Sequence, residues 1–141
     1  MPTRTARTAW KGTLQEGSGQ VELSSSKVGT FEVSWPKRTS EEADGTTSPE
    51  ELIAAAHSAC FSMALSSQIA KAGGTPQALE VRADVTLDAG SISGVHLTVR
   101  GEVEGLDADG FENAAQAAKE GCPVSKALTG TEITLDAALE S

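Results

Sequence analysis

The chain has 141 residues, 38% of them hydrophobic with a further 14 Gly, and its 11 Lys+Arg face 20 Asp+Glu for a net charge of −9. This size and composition suit one globular domain over residues 1–141, while the acidic balance and a 4% aromatic share without Tyr argue against a nucleic-acid partner, which needs cations for phosphates and rings for bases. No apolar run approaches the roughly 18 residues that cross a bilayer, and Met1-Pro2-Thr3-Arg4 opens no signal sequence, so a soluble, unprocessed, cytoplasmic protein without a membrane partner is expected.

From the N-terminus, three short stretches alternate with a period of two: Ala6, Thr8 and Trp10; Val21 and Leu23; Phe31, Val33 and Trp35. They read as antiparallel strands, with Gly17-Ser18-Gly19 and Lys27-Val28-Gly29 as turns. From Trp35 to Thr47 neither period holds, which predicts a polar surface loop. It ends at Ser48-Pro49-Glu50-Glu51, where Ser48 suits an N-cap, Pro49 the first helical position and Glu51 the capping-box position. The helix that opens there runs from Pro49 to about Ala72 without a charge between Glu51 and Lys71. Being apolar nearly all round, it is expected to be a central helix enclosed on several sides, ended by Gly73-Gly74.

Two strictly alternating strands follow. Val81, Ala83, Val85 and Leu87 form the apolar face of the first, and Val95, Leu97, Val99 and Val103 that of the second, with Asp88-Ala89-Gly90-Ser91 as the hairpin turn. A second helix begins near Asp109, carries Phe111, Ala114, Ala115 and Ala118 on one side, and closes at Gly121. Cys122 then leads into a short helix with Pro123 first, and Ile133, Leu135, Ala137 and Leu139 mark a last strand.

The chemistry narrows to sulfur. The spacings C-x₂₋₄-C for zinc and C-x-x-C for a thioredoxin-type site are absent, and the glycines follow no phosphate-loop pattern. His57, three positions before Cys60, could serve a cysteine hydrolase as base, but the pair lacks a third group. Cys60 sits mid-helix among small and apolar neighbours, where burial raises a thiol's pKa and leaves it inert. The helix N-terminus lies roughly 15 Å away at 1.5 Å per residue, so activation needs a cation from elsewhere in the fold. Cys122, in Gly121-Cys122-Pro123, stands at a helix break with exposed backbone; it is either a mobile thiol or a small residue filling a junction.

The run from Ser48-Pro49-Glu50-Glu51 through Ala56-His57-Ser58-Ala59-Cys60-Phe61-Ser62-Met63-Ala64-Leu65, followed 62 residues after Cys60 by Gly121-Cys122-Pro123-Val124-Ser125, resembles the OsmC branch of the OsmC/Ohr family of thiol peroxidases. The strand order and the tail Glu132-Ile133-Thr134-Leu135 extend the likeness over essentially the whole chain. The resemblance implies an α+β, OsmC-like fold, two antiparallel β-sheets around long central helices, assembled as an intertwined homodimer. It also implies an antioxidant enzyme that reduces organic hydroperoxides to alcohols without metal, haem or flavin. In that role Cys60 is the peroxidatic thiolate, which becomes a sulfenic acid, and Cys122 is the resolving thiol, which closes a Cys60–Cys122 disulfide. Arg38 and Glu50 are the polar partners, with Lys37 beside Arg38 as the alternative cation. The reductant that the resemblance implies is an external dithiol of the lipoyl type, which resets the enzyme.

The residue types suit that chemistry. A guanidinium stays charged in a partly apolar pocket, lowers a thiol's pKa and donates to the breaking O–O bond, while a carboxylate fixes its orientation. An apolar lining including Ile53, Phe61 and Met63 would favour greasy substrates. Glu50 and Cys60 are ten residues apart on one helix, about 15 Å along its axis. If both belong to one site, Glu50 and Arg38 reach the Cys60 of a second subunit, giving two symmetric sites. The alternative is a non-catalytic thiol redox sensor or small-molecule binding module.

Overall fold

A computed structural model describes residues 1–140. Its backbone divides into two compact units, Met1–Leu52 and Ile53–Ser141.

The first unit is an antiparallel meander of β1 (Arg7–Lys11), β2 (Ser18–Glu22) and β3 (Thr30–Val33). Trp10 pairs with Gly19, where a Cβ would come within 2.9 Å of the Trp10 ring, so this position seats the indole. The expected turn at Gly17-Ser18-Gly19 therefore falls earlier, since Ser18 and Gly19 belong to β2. Thr13 makes the turn, accepting from the Gly17 N–H through its carbonyl at 2.7 Å and from the Glu16 N–H through its hydroxyl at 3.2 Å. Such Ser/Thr bonds support turns, and Gly12 just before this one takes the left-handed conformation at φ 96°. The turn expected around Lys27 is present, with Lys27 in the left-handed region at φ 62°.

After β3 the chain is not wholly irregular. Ser34 accepts from the Lys37 N–H at 3.3 Å and caps a single helical turn, α1 (Trp35–Arg38), whose first turn suits Pro36. Trp35 is thus helical rather than the end of a strand. Beyond α1 the polar segment returns to β3 through a bridge between Val33 and Thr47.

The helix α2 (Pro49–Lys71) starts where the sequence places it, Ser48 Oγ accepting from the Glu51 N–H at 3.1 Å. The Glu51 carboxylate accepts from the Thr47 hydroxyl at 2.5 Å instead of closing the box. The helix ends with the Gly74 N–H on the Ile69 carbonyl at 2.9 Å. His57, Phe61, Leu65 and Ile69 are buried, a stripe of spacing four. Ala55, Ala56 and Ala59 on the other side are exposed, and Met63 is 72% exposed. The expected enclosure on several sides is therefore corrected for one copy of the chain: its core covers one stripe of α2. Apolar composition says what a face tolerates, and only tertiary packing says what covers it.

In the second unit β4 (Thr75–Asp88) and β5 (Ser91–Glu104) form a long hairpin. Its two-residue turn has Ala89 at φ 50° and Gly90 at φ 83°, the left-handed pair that a type I′ turn requires. Val95, Leu97, Val99 and Val103 face the core as predicted. The helix α3 (Ala108–Gly121) is capped by Asp107, whose carboxylate accepts from the Gly110 N–H at 2.8 Å, and it buries Phe111, Ala114, Ala115 and Ala118. The short α4 (Pro123–Ala127) and β6 (Glu132–Leu139) complete the order β4-β5-β6. β6 joins β5 in parallel, so the second sheet is mixed rather than antiparallel. Two helices between β5 and β6 form a crossover, which returns the chain to the end where β5 began. Phe61, Leu65 and Ile69 of α2 share one core with β5 and α3.

Phe111 lies over Gly101, where a Cβ would stand 2.7 Å from its ring. Gly101→Ala must displace Phe111 and is expected to cost about 1–3 kcal/mol, read as a lower urea midpoint with unchanged slope; an unchanged midpoint would show that the ring moves freely.

Candidate active site

The structure brings Cys60 and Cys122 together. Cys60 rides on α2 next to buried Phe61, at the margin of the covered stripe, and is half-buried. Cys122 is the junction residue that ends α3 and opens α4, with φ −60° and ψ 129°. Its N–H donates to the Ala118 carbonyl at 2.9 Å, and its own carbonyl accepts from the Lys126 N–H at 3.0 Å. Both are free thiols, their sulfurs 2.9 Å apart across 62 residues of chain. The exposures are the reverse of those the sequence suggests: Cys122 is 0% exposed, because the helix break that carries it is packed into the core.

Burial chiefly pushes the Cys60 thiol up, and the hydrogen bond with Cys122 adds to this against the opposing Val124 N–H. Burial also works against a Cys122 thiolate. There it is outweighed by the hydrogen bond from Cys60 and by the Ser125 N–H, the Ser125 hydroxyl and the Val124 N–H, so the Cys122 thiol lies below its usual range. Although the geometry allows Cys122 to donate across the sulfur pair, these donors favour the charge on Cys122. Within this unit the surroundings of Cys60 favour its protonated form.

Sequence reasoning missed one pairing. His57 is 0% exposed, and its Nε2 lies 2.7 Å from the hydroxyl of Ser125, itself 3% exposed. His57 therefore faces α4 rather than acting as a base on Cys60, and burial holds its pKa below the ordinary value. Both residues lie in the quoted runs around the cysteines, but their contact spans 68 residues, and no local pattern encodes it.

The first unit holds the other two predicted site residues together. Arg38, at the end of α1, donates from Nε to one Glu50 oxygen at 3.0 Å and from Nη2 to the other at 2.9 Å. Glu50 is buried in the first turn of α2. This two-point contact is the strong form of the pair, and the hydrogen bond to Glu50 raises the Arg38 pKa further despite partial burial. The guanidinium also sits 5.7 Å from the Trp35 ring centre. Lys37 pairs instead with exposed Asp44 at 3.2 Å, which singles out Arg38 as Glu50's cation. Beside it, Trp10, Leu14, Val33, Trp35 and Pro49 line a cleft of about 130 Å³. Of the apolar lining expected from α2, Phe61 is instead sealed in the core.

The family model described as OsmC-like protein matches residues 41–137. The chain is 43% identical to peroxiredoxin OsmC of Escherichia coli (strain K12) over 136 residues, 94% of this chain and 93% of that protein. It is 35% identical to organic hydroperoxide resistance protein OhrA of Bacillus subtilis (strain 168) over 123 residues, 82% and 85% of the two. Among solved structures, an organic hydroperoxide resistance protein from Elizabethkingia anophelis superposes with a TM-score of 0.77 at 28% identity, covering 99% of this chain and 98% of that one.

The buried imidazole has a measurable consequence. Below its ordinary pKa of 6.5 the unfolded chain protonates His57 while the fold holds it neutral, so the unfolded state binds more protons. Stability is then expected to be lost as pH falls below about 6.5, by at most about 1.4 kcal/mol per pH unit from this group. Tm measured from pH 7.5 to 5.5 should show that slope in the wild type and a flatter one in His57→Gln; equal slopes would assign it elsewhere.

Proposed function

The chain belongs to the OsmC-like protein family, and from that membership we propose that it is a cysteine-based peroxidase that reduces organic hydroperoxides to alcohols. The observation that carries this reading is the meeting of Cys60 and Cys122 at 2.9 Å, and the peroxiredoxin and hydroperoxide-resistance relatives support it. The family match runs through residue 52, where the two units divide, which supports reading them as parts of one OsmC-like domain.

In this mechanism the Cys60 thiolate attacks the distal oxygen of R–O–O–H. The O–O bond breaks, and the alkoxide leaves as R–OH after taking a proton. Cys60 becomes a sulfenic acid; Cys122 attacks its sulfur, water departs, and a disulfide closes. An external dithiol, of the lipoyl type in our reading, reduces the disulfide and is itself oxidised. A reducing compartment such as the cytoplasm suits that cycle.

The first step needs a cation, because Cys60's own surroundings favour its protonated form. Arg38 is the candidate: Glu50 holds the Nε and Nη2 side of its fork, and among the described residues nothing accepts from Nη1. Glu50 and Cys60 stand ten residues apart on α2, about 15 Å of helical rise. In our reading the Arg38–Glu50 pair therefore serves the Cys60 of a second copy, in a homodimer with two symmetric sites. The exposed apolar face of α2, with Met63 72% exposed, supports such an assembly. The cleft of Trp10, Leu14 and Trp35 beside Arg38 suits an alkyl tail.

With excess dithiol and cumene hydroperoxide, the wild type is expected to consume many equivalents; stopping after about one would favour a redox sensor. Cys60→Ser should abolish turnover, and activity retained in it would remove the mechanism. Cys122→Ser should allow one oxidation followed by inactivation. Mixing inactive Glu50→Ala and Cys60→Ser subunits should recover activity in the heterodimer, which carries one native site; heterodimers without recovery would count against the shared site.

A further inference from the structure

Resting on that peroxidase reading, we propose that His57 and Ser125 form a buried donor relay that positions Cys122 and stabilises its thiolate while it attacks oxidised Cys60. The mechanism above leaves His57 without a task, yet a fully enclosed imidazole 2.7 Å from a nearly enclosed hydroxyl is an expensive arrangement to bury without purpose.

Hydrogen-bond accounting fixes the direction of the relay. Among the described residues Nδ1 of His57 has no partner. An orphaned N–H donor is rarer in folded proteins than a bare acceptor, and burial opposes the doubly protonated ring. The proton therefore sits on Nε2 and is donated to Ser125 Oγ. That leaves the Ser125 hydroxyl hydrogen free for Cys122, which opens α4 three residues before Ser125, the spacing at which a cap residue and the third helical residue face one another. A hydroxyl that accepts one hydrogen bond donates the next more strongly, so an uncharged histidine reinforces a bond to a thiolate it does not touch.

The step balances without a proton from His57. Cys122 loses its thiol proton, and the sulfur anion attacks the sulfur of Cys60–S–OH. The S–O bond breaks, and the departing hydroxide becomes water with that same proton. In the reductive half, a dithiol thiolate attacks Cys60, and Cys122 leaves as an anion facing the same donors. A stabilised leaving thiolate departs faster, so one relay serves both halves of the cycle. His57 and Ser125 are positioning residues; the sulfurs do the chemistry.

The test separates this step from peroxide reduction. Ellman's reagent added to the reduced full-length protein forms a mixed disulfide at half-buried Cys60 and releases one thionitrobenzoate. Attack by Cys122 then releases a second, with no hydroperoxide involved. The first release is the internal control. In Ser125→Ala the second release should slow by about tenfold or more, the scale of one hydrogen bond to a charged group, and Ser125→Thr should restore it. His57→Leu should slow it, and His57→Gln, which keeps an N–H donor, should recover part of the rate. In single turnovers with cumene hydroperoxide, Ser125→Ala should also accumulate sulfenic acid that dimedone traps.

A second release as fast in both Ser125→Ala and His57→Leu as in the wild type overturns the relay. So does equal slowing of both releases without rescue by Thr or Gln, the mark of general loosening. If Ser125→Ala fails to fold, the His57→Leu and His57→Gln pair decides. A wild type that releases both thionitrobenzoates but consumes no hydroperoxide would overturn the peroxidase reading while leaving the relay intact.

Discussion

The constraint on which the rest depends is the break between α3 and α4, where one residue ends a helix, opens another and is sealed in the core. Cys122 can lie 2.9 Å from Cys60 only because each layer beneath it is in register. β5 provides an apolar floor, Gly101 lets Phe111 settle on that floor, and α3 is thereby fixed in height. The turn at Cys122-Pro123 then aims α4 back at α2, where Ser125 meets His57. A sulfur on a surface loop would have had freedom but no address; here the address is set by packing.

The polar equipment is divided between two places in the sequence, and each half is self-consistent. Arg38 and Glu50 satisfy one another in two hydrogen bonds, so a buried carboxylate is not left uncompensated. The two thiols satisfy one another in the second unit. On our reading neither half is competent alone. In that reading Cys60 favours its protonated form until a guanidinium reaches it, which would limit reaction with stray oxidants before assembly.

Short-range signals were legible in the sequence. Ser48 announced the start of α2, the parity of Val81 to Leu87 and Val95 to Val103 announced a hairpin, and the spacing of Phe111, Ala114, Ala115 and Ala118 announced the buried side of α3. What escaped was decided by partners far along the chain. Ser18 and Gly19 look like a turn until Trp10 claims Gly19 as its seat. Strand alternation cannot say whether β6 joins in parallel, because that depends on where the crossover delivers it. The uncharged length of α2 showed that it could be covered on several sides, without showing which side one chain would cover. The two cysteines exchanged exposure for the same reason: a position in the middle of a helix or at its end fixes backbone geometry, while burial is conferred by what docks there. Arg38 and Glu50 came from family likeness, and Ser125 as a partner of His57 had no local signature.

Cys60 and Cys122 are 62 residues apart, and a covalent link between them would enclose α2's C-terminal turns, the whole β4–β5 hairpin and α3 in one ring. Tethering that much chain removes conformations from the denatured ensemble, worth about 4 kcal/mol at room temperature in the loop-entropy model. On the peroxidase reading, catalytic state and resistance to denaturation are thereby tied together. In the proposed cycle the molecule is hardest to unravel just after it has spent its reducing equivalents, and the donor that regenerates it works against that added durability.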